Sequence, residues 1–274
     1  MKALSQFVLV SSLVLTQFSF AHADTTALQQ AVQNPARTEA NKARDQYRHP
    51  VETLAFFGVT PQSTVVEISP GAGWYTEILA PLLAKEGKYY AAHFPANSTS
   101  DYAKRNLAAF KQKLASDPVY SQVVLTEFSP LPNQQVAPAN SADVVLTFRN
   151  LHNWYMQKGE QGMIDAFSSF YAALKPGGVL GVVEHRLPEA KKTADWLKSG
   201  YFPQSLAIEL AQKAGFVLEA SSEINANPKD TADHPGGVWT LPPTLSQKEQ
   251  DKDKYLAIGE SDRMTLKFRK PAAN

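Results

Sequence analysis

Short apolar runs alternate along this chain with longer amphipathic stretches. The runs at 64–68, 88–94, 123–128, 143–148, 179–183, 216–220 and 264–268 have the length and the β-branched or aromatic content of strands. Between them, 74–85, 102–114, 163–174 and 203–214 space their apolar residues as helices do, and 194–197 opens a further such stretch. Residues 24–58 read as a helical segment with a weak stripe at Ala27, Ala31 and Val32. Within it Pro50 can open a short helix that ends near Phe57 and Gly58. Strands that alternate with helices need crossover connections. The pattern therefore predicts an α/β, doubly wound three-layer sandwich on a seven-stranded, mostly parallel sheet.

Two stretches break this rhythm. Residues 129–142 are rich in Pro, Asn and Gln and read as a loop. Residues 224–262 are long and polar, and contain the charge run 247–254, which reads as a solvated surface. A loop of that length in a compact domain is often a lid, and that is its functional reading here. The chain otherwise reads as one domain over 24–274, with no internal repeat.

The N-terminus has a different grammar. Lys2 is followed by a mostly apolar stretch from Phe7 to Phe18, then by Ala21-His22-Ala23 and Asp24. A basic start, a short apolar core and a small-x-small end are the parts of a cleavable secretory signal. The apolar core falls short of the roughly 20 residues that a membrane span requires. Residues 1–23 are expected to be removed after Ala23, sending the mature chain to the periplasm or beyond, free of the membrane.

Charge narrows the partners. The full chain has 27 basic and 26 acidic residues; losing Lys2 with the signal makes the two equal. A neutral chain lacks the excess of cations that neutralises nucleic-acid phosphates, so a small molecule is the expected partner. The chain has no cysteine. Disulfides, a disulfide-linked partner, thiolate metal sites and a cysteine nucleophile are thereby excluded.

The chemistry centres on Val65-Val66-Glu67-Ile68-Ser69-Pro70-Gly71-Ala72-Gly73-Trp74. This is a strand, a glycine turn and a helix start, the arrangement that lets backbone approach an anionic or nucleoside ligand. The acidic-x-small-x-Gly-x-Gly pattern of Glu67, Ser69, Gly71 and Gly73 resembles the first motif of class I S-adenosylmethionine-dependent methyltransferases. Later segments resemble that family in the same order: Glu127-Phe128-Ser129-Pro130-Leu131-Pro132, then Ala142-Asp143-Val144-Val145-Leu146 with Leu151-His152-Asn153-Trp154, then Leu174-Lys175-Pro176-Gly177-Gly178. Together they span the central half of the chain. Residues 73–81, 225–230 and 260–264 resemble signatures of an exported group within the family.

The resemblance implies a Rossmann-like methyltransferase fold whose last strand is antiparallel, and S-adenosylmethionine as cofactor. It places the Glu67 carboxylate near the ligand's amino group, and Ser69, Gly71 and Gly73 in the turn that passes the methionine moiety. It puts Glu127 and Phe128 at the adenine edge, and Phe148, Arg149, Asn150 and Leu151 in the floor beside the reacting methyl. Two departures stand out. Ser69 replaces the first glycine of the turn. The acid that binds ribose, about 20 residues beyond the glycines, is replaced by His93. His93 can offer a ribose hydroxyl a single hydrogen bond. Otherwise it is a strand-end histidine with solvent on one side.

Methyl transfer needs alignment of nucleophile and methyl, and a base where the nucleophile carries a proton. His152, just beyond the fourth strand, is the candidate base. Arg149 is the candidate holder of an acidic substrate through a bidentate contact. Otherwise Arg149 and Asn150 cap local backbone and Trp154 is core. Glu184, His185 and Arg186 end the fifth strand at the same mouth, but they lack the spacing of a zinc site, and no metal is expected. Glu260, Ser261, Asp262 and Arg263 read as an internal ion-pair network. No Gly-x-Ser-x-Gly elbow is present, which argues against a serine hydrolase. The missing third glycine and ribose acid argue against an NAD-dependent reductase. Export takes the chain away from the cytoplasm, where S-adenosylmethionine is made. Three readings follow: an exported methyltransferase, a ligand-binding protein on a methyltransferase frame, or another enzyme using the same pocket.

Overall fold

The computed structural model describes residues 25–272; the expected signal at 1–23 and its expected cleavage site lie outside the described residues. Among the described residues eight strands form: β1 (Thr64–Ile68), β2 (Lys88–His93), β3 (Val123–Glu127), β4 (Ala142–Phe148), β5 (Leu174–Leu187), β6 (Phe202–Pro203), β7 (Val217–Ser222) and β8 (Arg263–Arg269). Seven of them run in the order β3-β2-β1-β4-β5-β8-β7, and β6 is a two-residue strand that pairs with the end of β5. The strands from β1 to β5 are parallel, and β8 lies antiparallel between β5 and β7.

Helices cover both faces. α1 (Thr26–Val32), α2 (Glu39–Lys42), α3 (Asp45–Arg48) and α4 (Pro50–Phe56) build the N-terminal segment. α5 (Thr76–Leu83), α6 (Asp101–Ser116), α7 (Leu151–Ala173), α8 (Gln204–Lys213) and α9 (Lys252–Ile258) follow. Side chains alternate across a strand. On β1, Val66 and Ile68 enter the core beneath α7 and α8, while Val65 enters the opposite core with α1, α4 and α5. Phe57 presses so closely on β5 that a Cβ at Gly181 would lie 2.7 Å from its ring. Chain order reverses between β1 and β4, and the carboxyl ends of those two strands flank the crevice where open α/β sheets bind ligands.

Two elements differ in extent from expectation. The helix expected at 163–174 begins a full three turns earlier, at Leu151. Gly159, at φ 61° and ψ −155°, breaks its helical geometry, and the polar residues around it hid the periodicity. Lys175 to Gly178 do not stand apart as a turn; they run into β5, where the register with β4 shifts between Ala142 and Val144.

The stretch 224–262 carries α9 and a turn of 3-10 helix at Gly237–Thr240. Its first residues are pinned. Asn225 donates to Thr53 Oγ1 at 3.0 Å and to Thr265 Oγ1 at 2.9 Å, and Asp230 accepts from the Tyr201 hydroxyl at 3.0 Å.

Candidate active site

The turn after β1 is set by left-handed backbone at Ser69 (φ 52°), Gly71 (φ 59°) and Gly73 (φ 80°). At Gly71 a Cβ would meet nothing within 4 Å, so this glycine opens onto free space. At Gly73 a Cβ would come within 2.9 Å of Lys113 Cδ and 3.1 Å of Phe110 Cε2. Gly73 is therefore a packing glycine, there to let α6 approach, and it does not face a ligand.

A cavity of about 710 Å³ lies over the carboxyl ends of β1, β2 and β4. Four of the sequence-predicted residues line it: Ser69, Gly71, Phe128 and Asn150. Asn150 donates from Nδ2 to the Ile68 carbonyl and to Thr147 Oγ1, both at 3.1 Å, tying β1 to β4 across the crevice. Phe128 is 1% exposed and packs edge-on against Trp154 at 5.1 Å, so Trp154 is at once core and cavity wall. The loop after β2 adds Phe94, Asn97 and Ser98.

Glu67, His93 and Phe148 do not line this cavity, and the cause is strand parity: all three point to the face that α5 covers. Glu67 is 2% exposed; the Tyr89 hydroxyl donates to it, and Thr76 Oγ1 lies 3.4 Å away. Burial pushes its carboxyl up to about 7. Phe148 stacks on Tyr75 with centroids 3.7 Å apart.

His93 is buried, with no solvent side. Its Nδ1 accepts from the Phe94 amide at 2.8 Å, which leaves Nε2 to donate to the Gly71 carbonyl at 3.1 Å. Both nitrogens are thus used inside the protein, and none is free for a ribose hydroxyl. Burial pushes its pKa down, in keeping with a neutral ring. Glu127 is exposed and accepts from the Ala96 amide at 3.0 Å. Among the described residues, no Asp or Glu lines the cavity.

A second cavity of about 320 Å³ adjoins the first, and the two share Tyr102 and Asn153. His152 lines it, in the first turn of α7. Its Nδ1 lies 3.1 Å from Glu184 Oε1, and the same carboxylate accepts from the Leu151 amide at 2.6 Å and the His185 amide at 2.7 Å. Glu184 is fully buried, so its charge is met by backbone donors at the start of α7 and by His152. A proton on Nδ1 toward Glu184 makes Nε2 the basic nitrogen. Next to it, His185 accepts from or donates to Ser261 Oγ at 2.5 Å, and burial followed by the charge of His152 and Arg263 pushes its pKa well down.

Arg149 lines the same cavity from a left-handed backbone position, φ 60°. Burial, followed by the charge of Arg263, pushes its pKa down to about 10. Arg44, Arg48 and Arg263 join it there. Arg44 and Arg263 pair with Glu260, the former at 2.5 Å, and Arg48 Nε lies 3.6 Å from the same carboxylate. Burial raises the Glu260 carboxyl, yet Arg263, Arg44 and Arg48 outweigh it and hold the group at about 2. Arg149 and Glu260 were visible in the sequence; the convergence of Arg44 and Arg48 on them was not, because the pair Arg44–Glu260 spans 216 positions.

The strand order, the crevice and the antiparallel β8 define the fold of class I S-adenosylmethionine-dependent methyltransferases. No protein-family model matches the chain, and no curated protein matches it in sequence. Solved structures do. A SAM-dependent methyltransferase from Aquifex aeolicus is similar with a TM-score of 0.54 at 14% identity, over 90% of this chain and 98% of that one. The 4+2 cyclase SpnF gives 0.55 at 16% identity, over 91% and 93% of the two chains. Geranyl diphosphate C-methyltransferase from Streptomyces coelicolor, solved with S-adenosyl-L-homocysteine, gives 0.54 at 11% identity over 88% and 84%. At these identities the likeness establishes the fold; a cyclase among the neighbours shows that the fold alone does not fix the reaction.

Proposed function

We propose that this chain is an S-adenosylmethionine-dependent methyltransferase acting on a small molecule, exported through the signal at residues 1–23. The observation that carries the reading is the pair of adjoining cavities. One opens on the glycine turn at the switch point of the sheet. The other holds a histidine oriented by a buried carboxylate. The first is roomy enough for a nucleoside-sized ligand, which calls for about 300–1,000 Å³. Gly71 leaves its backbone open to approach, and Phe128 with Pro130 and Leu131 supplies an apolar wall for a base.

S-adenosylmethionine, when bound, supplies an electrophilic methyl group. The residues of this chain do the rest. Asn150 holds β1 and β4 at fixed separation beneath the cavity. Tyr102 and Asn153 stand where the two cavities meet, the place for the acceptor atom. His152 Nε2 accepts the proton of an O–H or N–H acceptor as the new bond forms, and Glu184 stabilises the imidazolium that results. The support of neighbours in the same fold extends to the cofactor: one was solved with S-adenosyl-L-homocysteine.

A second reading has its own observation. No acid lines the larger cavity among the described residues, and His93 is spent on the glycine turn. That favours a ligand-binding protein on a methyltransferase frame. Calorimetric titration of the purified protein with S-adenosylmethionine and S-adenosylhomocysteine, with mass spectrometry of any small molecule it carries, separates the two. Binding of both nucleosides supports the enzyme; no heat at millimolar ligand overturns it. N-terminal sequencing of protein recovered from the periplasm tests export, with Asp24 as the expected first residue.

A further inference from the structure

Charge does not balance in the smaller cavity. Four arginines line it, Arg44, Arg48, Arg149 and Arg263. Glu260 is the carboxylate paired with three of them. Glu184 is occupied by His152 and the backbone amides at the start of α7. Arg149 has no acceptor for its guanidinium among the described residues.

Arg48 is 3% exposed, and its Nε and Nη1 have no hydrogen-bond partner; nor has Nε of Arg263, which is equally buried. Arg48 instead lies over the Trp74 ring, 4.5 Å from its centroid. That contact holds the guanidinium while its Nε and Nη1 stay without a hydrogen-bond acceptor. Buried cations without acceptors are costly, by desolvation and by mutual repulsion. Here burial, then Arg149, pushes the pKa of Arg48 well down. An ion-pair clasp joining the N-terminal segment to β8 would need Arg44, Glu260 and Arg263 alone. Arg48 reaches that carboxylate only at 3.6 Å and without a hydrogen bond, and the Arg149 guanidinium has no part in such a clasp.

We propose that the smaller cavity is an oxyanion site, in which a carboxylate or phosphate group of a small acidic ligand seats among Arg48, Arg149 and Arg263. The planar fork of each guanidinium suits two-point contact with either group. The cavity of about 320 Å³ limits the ligand to a small acid. Val238, Trp239 and Pro242 form an apolar wall for the rest of the molecule. That this acid is also the methyl acceptor rests on the methyltransferase reading; that the site takes an anion does not.

The test is thermal unfolding of the purified protein with inorganic phosphate or citrate, at constant ionic strength and without nucleoside. A saturable rise in melting temperature of about 5 °C or more is expected at a hundredfold excess over Kd. The arm that saturates at lower concentration distinguishes phosphate from carboxylate. In Arg149→Gly the rise is expected to vanish. That variant also relieves a left-handed backbone and removes a repelling charge, so its ligand-free melting temperature is expected to equal or exceed that of the wild type. In Arg48→Gln the apparent affinity is expected to fall at least tenfold. No rise with either anion, or an equal rise in Arg149→Gly, overturns the site. Parallel calorimetry with S-adenosylmethionine keeps the two readings apart. An anion response without nucleoside binding removes the methyltransferase and leaves the site; the reverse removes the site alone.

Discussion

His93 Nε2 donates to the Gly71 carbonyl across 3.1 Å, so the end of β2 holds the glycine turn of β1 in shape. The ring also stacks on Phe110 of α6 at 4.9 Å. This is a brace behind the cavity, occupying the sequence position at which related folds present an acid to ribose. His93→Ala removes a buried hydrogen bond and leaves a cavity, at a cost of about 2–4 kcal/mol. Denaturant unfolding measures it. His93→Asp is expected not to tighten nucleoside binding, because the side chain points into the core against Phe110 of α6; calorimetry that showed a gain would place the residue in the cavity instead.

Glu67 gives the clearest pH signature. Burial raises its folded pKa to about 7, above its ordinary value of 4.5, despite hydrogen bonds from Tyr89 and Thr76. A carboxyl raised on folding favours the folded state while it stays protonated. Its contribution is full below the unfolded pKa and is lost as pH rises through about 7. Glu67→Gln keeps an acceptor for both hydroxyls and cannot ionise. The variant is expected to match the wild type near pH 4.5 and to exceed it at pH 9 by up to about 3 kcal/mol. Chemical denaturation of both proteins across that range gives the difference curve; parallel curves would mean that folding does not raise the Glu67 pKa.

The strands and their crossovers were legible because each is a short apolar run closed by a turn, and β1, β2 and β4 are buried along almost their whole length. The glycine turn was legible for the same reason: left-handed backbone at Gly71 requires glycine. What the pattern could not show was which way a strand's last side chains point. Glu67, His93 and Phe148 lie at strand ends, where one position of parity separates cavity from core, and all three fall on the core side. The arginine cluster was hidden for a different reason. Arg44 and Arg48 come from short helices near the N-terminus and Arg263 from the last strand, and only the closed fold brings them together. α7 was shortened because Gly159 interrupts its period.

Ser69 sits at φ 52°, a left-handed position that costs a residue with a Cβ about 1–2 kcal/mol. Its neighbours in the turn, Gly71 and Gly73, meet the same demand with glycine. Ser69→Gly is expected to stabilise the protein by about 1 kcal/mol, less the extra entropy of the unfolded glycine. For a chain of this size the melting temperature should rise by about 2–4 °C. Calorimetry measures the shift. A fall would show that the Ser69 side chain makes a contact worth more than the strain.

His152 is the residue on which the proposed chemistry turns, and its partner makes the role separable from structure. Glu184 also accepts from the Leu151 and His185 amides, so Glu184→Gln must disturb the start of α7 as well as the histidine. His152→Ala leaves those amide contacts in place. It is expected to bind S-adenosylmethionine as the wild type does, since the ring belongs to the smaller cavity. Turnover with an acceptor that carries an O–H or N–H should fall by about 10²–10⁴, the range for a lost general base. His152→Gln, which keeps hydrogen bonding without basicity, should be equally slow. If its rate instead returned toward wild type, His152 would be orienting the acceptor through a hydrogen bond and the proton would leave by another route. A kcat that fell in both variants while the affinity for S-adenosylhomocysteine held would assign the base.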